Sequence, residues 1–149
     1  MKLDTIKFGE VEVDDSLIFN FLDPILGYEH IEKYVLIDYN PDSPFKWLQA
    51  IGEASISFPV TIPALFGIDY TFVVPEEQAK VLGLNSIEDI LTLNVVNIPS
   101  GHPELSTVNL LGPIVINVNN KNASQMILQD DKYSVRHKLF KDGEISSQI

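Results

Sequence analysis

Short alternating runs, each cut off by turn formers, constrain this 149-residue chain more than any other feature. In "TIKFGEVEV" (5–13), Ile6 and Phe8 share one face before Gly9, and Val11 and Val13 share one face after it. That period-2 pattern predicts a half-buried opening hairpin. Strand-length runs follow at 17–21, 34–38, 45–51 and 56–62, divided by Pro24 and Gly27, by "NPDSP" (40–44) and by Gly52. Strands resume at "ILTLNVVNI" (90–98), pause at "PSGHPELS", and return through "TVNLLGPIVINV" and "ASQMILQD". This spacing predicts a mainly β fold, a small antiparallel β-barrel-like or sandwich-like single domain. Pro59 lies inside its run and cannot donate to a ladder, which predicts an edge strand or a bulge there.

One or two short helices complete the expected fold. In "PEEQAKVLG", Pro75 suits a first-turn position, Glu76 and Glu77 complement the helix dipole, and Gly83 can stop the helix. Ser86, three residues before Asp89, resembles a capping box and predicts a second short turn. Near the end of the chain Ile114, Ile116 and Val118 share one strand face, and Ser124, Met126 and Leu128 share a face of the return strand. The hairpin 112–130 is predicted to close the barrel or cover an edge strand. Asn119, Asn120 and Asn122 would serve its turn, with asparagine supplying any positive φ. The segment "KYSVRHKLF" is expected to dock back through Tyr133, Val135 and Leu139. The domain is therefore drawn over residues 1–140, with 141–149 as a flexible tail.

Charge and composition narrow the function. The net charge is −11, and residues 1–120 hold five lysines against 17 acids while residues 121–149 are roughly neutral. Nucleic-acid binders neutralise phosphates with clustered cations, so direct binding is not expected from an acidic chain whose lone arginine is Arg136. A basic protein partner suits it better. Without cysteine there is no disulfide, thiolate metal site or cysteine nucleophile. The beginning of the chain lacks a signal-peptide pattern, and Gly112 and Pro113 interrupt its longest apolar stretch, so a cytoplasmic protein with no membrane span is expected. No G-x-S-x-G elbow, EF-hand, P-loop or dinucleotide fingerprint occurs, and His30, His102 and His137 are far apart in sequence. Catalytic, cofactor and metal residues are therefore not expected.

The remaining candidates are contact residues. Phe45 and Trp47, two apart on one strand, are expected to fill the barrel. Phe66, Tyr70 and Phe72 follow the Pro63 turn on a loop-like stretch, where aromatic residues commonly anchor a partner. Asp69, Glu76 and Glu77 add acidic contacts beside them, and Asn117 and Asn119 are secondary candidates.

Taken in order, "TIKFGEVEVDDSLIFNF", "GYEHIEKYVLID", "DSPFKWLQAI", "FPVTIP", the Pro75 helix and "TVNLLGPIVINVNNKNASQMILQDDKYSVRHKLF" resemble the FliW family of flagellar assembly factors over about residues 3–140. The stretch "FLDPILGYE" departs from the more glycine-rich turn expected of that family. The resemblance implies a non-enzymatic β-barrel-like protein, a monomer when free. It also implies binding to the translational repressor CsrA, which antagonises repression of flagellin mRNA, and binding to flagellin in mutually exclusive fashion. Two alternatives remain: a flagellin chaperone without a repressor partner, and a small-ligand or enzymatic barrel, which would require a polar pocket.

Overall fold

The computed structural model describes residues 1–140, so the expected tail at 141–149 lies outside the described residues. The opening hairpin forms from β1 (Lys2–Thr5) and β2 (Gly9–Glu12), with Thr5 opposite Gly9. Its first strand ends before Ile6, so Ile6 and Phe8 are turn residues rather than strand residues. Thr5 explains the shift, because its hydroxyl donates to the Gly9 carbonyl (2.9 Å) and accepts from the Phe8 amide (2.8 Å). Gly9 supplies the left-handed residue (φ 69°) that such a three-residue loop requires.

The chain then forms β3 (Ile18–Asp23), β4 (Lys33–Ile37), β5 (Lys46–Ala50) and β6 (Ser57–Thr61). Helix α1 (Glu76–Leu82) follows, ended by Gly83 as the sequence predicts, with Pro75 at the N-cap, one residue before the first turn in which the sequence places it. The capping box is present at the second turn, a 3₁₀ turn over Ile87–Asp89. After it come β7 (Ile90–Asn97), β8 (Thr107–Val108), β9 (Ile114–Asn117), β10 (Asn122–Gln125) and β11 (His137–Lys138).

Strands run in the order β7-β6-β5-β4-β3-β10-β9, and β9 pairs back onto β7 to close a seven-stranded barrel. An odd number of strands cannot alternate direction all the way round, so one neighbouring pair must be parallel. That pair is β10 with β3 (Ala123 opposite Phe21), and its register shifts at Ala123 to Ser124. The 112–130 segment thus closes the barrel, antiparallel to β7 on one side and parallel to β3 on the other.

Period-2 alternation sorts the side chains. Phe19, Phe21, Tyr34, Leu36, Leu48, Ala50, Val60, Leu93, Ile114, Ile116 and Ala123 form the buried interior. Because Leu48 and Ala50 point inward on β5, Trp47 points outward, and the expectation that it fills the barrel is corrected. Phe45 is buried, but in a second cluster outside the barrel with Val96, Val108, Leu110, Leu139 and Phe140. A third cluster places Leu82 of α1 over Val115 and Met126, covering the outer side of β9. Pro59 does not make β6 an edge strand. It sits opposite Trp47, one residue before the β6–β7 ladder begins at Val60 and Val95, where the missing donor is tolerated.

The C-terminal segment docks as an added strand, with β11 antiparallel to β8 and the Leu139 amide donating to the Ser106 carbonyl (3.1 Å). Its anchors differ from expectation at one position: Val135 is exposed, and Phe140 takes its place in the second cluster. Replacing Phe140 by alanine is expected to lower unfolding stability by about 3 kcal/mol, as for a buried aromatic truncation. The denaturant midpoint of Phe140→Ala against the parent measures this.

Candidate functional site

The aromatic segment after Pro63 begins with a 3₁₀ turn (Pro63–Phe66) ended by Gly67 in the left-handed region (φ 72°). Phe66 lies half-buried between Phe45 (centroids 5.5 Å apart) and Phe140 (5.7 Å). The Tyr70 hydroxyl donates to the Leu110 carbonyl (2.6 Å) and accepts from Asn94 Nδ2 (3.2 Å). Its ring packs against Tyr133 (4.8 Å) and Phe72 (5.4 Å). Tyr133 in turn bonds Thr71 twice: its hydroxyl donates to the carbonyl (2.8 Å) and accepts from the amide (2.9 Å). Burial pushes the Tyr70 hydroxyl up to about 12. Tyr70 therefore braces the segment from beneath, and Phe72 turns toward the third cluster.

Between this segment and residues 132–140 lies an open cleft of about 710 Å³, walled by Phe66, Asp69, Lys132, Tyr133, His137 and Phe140. Of the candidates, Phe66 and the exposed Asp69 line it. Glu76 and Glu77 lie on the exposed first turn of α1, where Glu76 approaches Lys80 (3.5 Å).

At the other end of α1 the asparagine loop meets the helix terminus. Asn117 is 2% exposed, and its Nδ2 donates to the carbonyls of Leu82 (2.8 Å) and Gly83 (3.2 Å). Asn120 Nδ2 donates to the same Leu82 carbonyl (2.9 Å), so orphan carbonyls at the helix end are satisfied by the hairpin. The exposed Asn119 donates to Asp89 Oδ1 (2.7 Å), while Asp89 Oδ2 accepts from the Ser86 amide (3.1 Å). The positive φ falls on Lys121 (68°) and not on an asparagine. In that turn the asparagine side chains act instead as acceptors, Asn117 Oδ1 for the Asn119 amide (2.9 Å) and Asn120 Oδ1 for the Asn122 amide (2.9 Å).

Two exposed surfaces escape the sequence reading. On one, Phe8 packs against Tyr39 (4.9 Å) and Trp47 (5.9 Å), with Lys7 Nζ over the Trp47 ring (3.9 Å). On the other, exposed Leu26, Ile127 and Val135 rim an apolar recess of about 330 Å³ floored by Ile25, Tyr28 and Phe58. A signal for the first existed in the alternation of β5, where Trp47 shares a face with Gln49. Lys46 lies on the opposite phase, however, so polarity alone does not choose the inner face.

Among the described residues no group of three or more His, Cys, Asp or Glu could hold a metal ion. His30 pairs with Glu53 (2.9 Å) and His102 with Glu104 (3.1 Å), while His137 lies on β11. No helix among the described residues is long and apolar enough to cross a membrane.

The family described as FliW protein matches residues 2–139. The chain belongs to the FliW family. It is 34% identical over 145 residues to the flagellar assembly factor FliW of Leptospira interrogans, covering 97% of each chain. To the factor of the same name from Thermotoga neapolitana it is 38% identical over 138 residues, covering 93% of each. A solved structure, the crystal structure of the flagellar assembly factor FliW, matches with a TM-score of 0.87 at 24% identity, over 97% of this chain and 100% of that one. The FliW fold is thus shared, including the mainly β architecture.

Two outcomes are expected. Asn117→Ala removes the side-chain donor to the Gly83 carbonyl and one of the two donors to the Leu82 carbonyl, and is expected to cost about 1–3 kcal/mol, read from chemical unfolding. Because the Tyr70 pKa is raised in the folded state, its contribution is fully present below about pH 10, the unfolded value, and is lost as pH rises toward about 12. Unfolding midpoints across that alkaline window should fall less steeply in Tyr70→Phe than in the parent.

Proposed function

We propose that this FliW-family protein acts in flagellar assembly as a non-enzymatic partner switch in the cytoplasm. It binds the translational repressor CsrA, which relieves repression of flagellin mRNA, and it binds flagellin in place of the repressor. Translation of flagellin then follows export. The observation that carries this reading is the coexistence of two unlike surfaces on one braced barrel. The body is strongly acidic, with five lysines against 17 acids over residues 1–120. A repressor that grips RNA phosphates is basic near its RNA site, so complementary fields would steer the encounter. The apolar recess rimmed by Leu26, Ile127 and Val135 is chemically different. It suits an amphipathic segment of flagellin that orders on binding. Exclusion between the two follows from overlap of the partners or from coupling between their sites. Phe66, Asp69, Glu76 and Glu77 are the contact residues in this reading, while Tyr70, Phe72, Asn117 and Asn119 hold the surfaces in place.

Calorimetric titration with the CsrA-type repressor of the same genome, at two salt concentrations and again with flagellin already bound, tests the switch. Affinity for the repressor is expected to fall at the higher salt and to vanish in the flagellin complex. Flagellin binding without any repressor binding would overturn the switch and leave a flagellin chaperone.

A further inference from the structure

The outer face of β5 carries a feature that neither the barrel nor the clefts above require. Trp47 projects outward between the hairpin tip and the loop that precedes β5. Phe8 meets its ring edge-on (5.9 Å between centroids, 73° between planes), and Tyr39, 69% exposed, leans on Phe8 (4.9 Å). Between these rings and Ser43 is a recess of about 370 Å³. The Lys7 ammonium rests 3.9 Å from the centroid of the Trp47 ring. Lys7 is exposed at the middle of the three-residue hairpin tip. The tryptophan face therefore already holds a cation, supplied by a tethered and solvated side chain. The loop beside it carries Asp38, bonded to Lys46 (2.8 Å), and Asp42, within the acidic body of the protein.

We propose that the Phe8, Tyr39 and Trp47 recess receives an arginine side chain from a basic protein partner, with Lys7 as a built-in competitor that the arginine displaces. The ring quadrupole attracts any cation, but a flat guanidinium stacks on an aromatic face and is less strongly hydrated than an ammonium. Arginine thus replaces lysine on the same ring at a smaller desolvation cost. Charge complementarity names the occupant, since the ring faces and the net negative surrounding chain both favour a cation. The proposal deepens the reading that a basic protein docks on this acidic body, and it rests on that reading for the partner.

Trp47 is the only tryptophan in the chain, so its fluorescence reports on the recess directly. The probe is the capped peptide acetyl-Gly-Arg-Gly-amide, with the citrulline peptide as its neutral isostere. The expected result is a saturable change in Trp47 emission with the arginine peptide and none with citrulline. Lys7→Met should raise the peptide's affinity about two- to fivefold, and Tyr39→Ala should lower it by a similar factor. Both positions are exposed, and equal thermal midpoints will establish that the variants are folded. Equal responses to the two peptides, or unchanged or weaker binding in Lys7→Met, would overturn the proposal. Binding of the repressor itself is decided by the calorimetric titration above. A missing partner and a non-functional recess therefore give different results.

Discussion

Closure of the barrel by the β9–β10 hairpin is the constraint on which the rest of the structure depends. Without it β3 and β7 would each present an unpaired edge, and the apolar faces carrying Phe19, Phe21 and Leu93 would lack their cover. Seven strands oblige one parallel contact, and the chain places it between β10 and β3, where the two strands come from opposite ends of the sequence and no tight turn has to join them. The register shifts between Ala123 and Ser124, so that Ser124 pairs opposite Asp23. There its hydroxyl donates to Asp23 Oδ2 (2.6 Å), a side-chain tie where the ladder loses regularity.

The same hairpin positions the helix. Asn117 and Asn120 reach the last carbonyls of α1, Asn119 reaches Asp89, and the Val118 amide donates to the Asp89 carbonyl (2.9 Å). Leu82 and Val115 then meet beneath those bonds. At Gly83 the positive φ favours glycine, and a Cβ, 2.9 Å from Asn120 Nδ2, would push aside the amide that caps the helix. The polar loop thus acts as a cap for one element and a turn for another. Phe66, Tyr70 and Tyr133 are linked in a comparable way through Leu110, Thr71 and Phe140.

What was legible in the sequence was whatever depends on local chemistry. Strand placement, the Pro75 to Gly83 helix, the Ser86 cap and the closing role of the last hairpin all follow from alternation and from turn residues. The phase of β5 was not legible, because the fold inserts Leu48 and Ala50 and turns Trp47 outward, and only the neighbouring strands decide that choice. Asparagine identity suggested positive φ. The turn instead gives that conformation to Lys121, whose Nζ donates to the Val118 carbonyl (2.7 Å). The candidate cleft was half legible: Phe66 and Asp69 could be named, but the 132–140 wall required knowing where β11 docks. Tyr70 read as an exposed anchor from sequence, yet its hydroxyl is held by a carbonyl forty residues away.

The contact between β10 and β3 joins residues about a hundred positions apart, such as Asn122 and Asn20. Such a closure is paid in loop entropy before it is rewarded, so the fold belongs among the slow, non-local ones. During synthesis the first strands leave the ribosome long before their closing partner. The nascent chain therefore carries open sheet edges until its final quarter is released, and chaperone protection in that interval matters more for this barrel than for a helical protein of equal length.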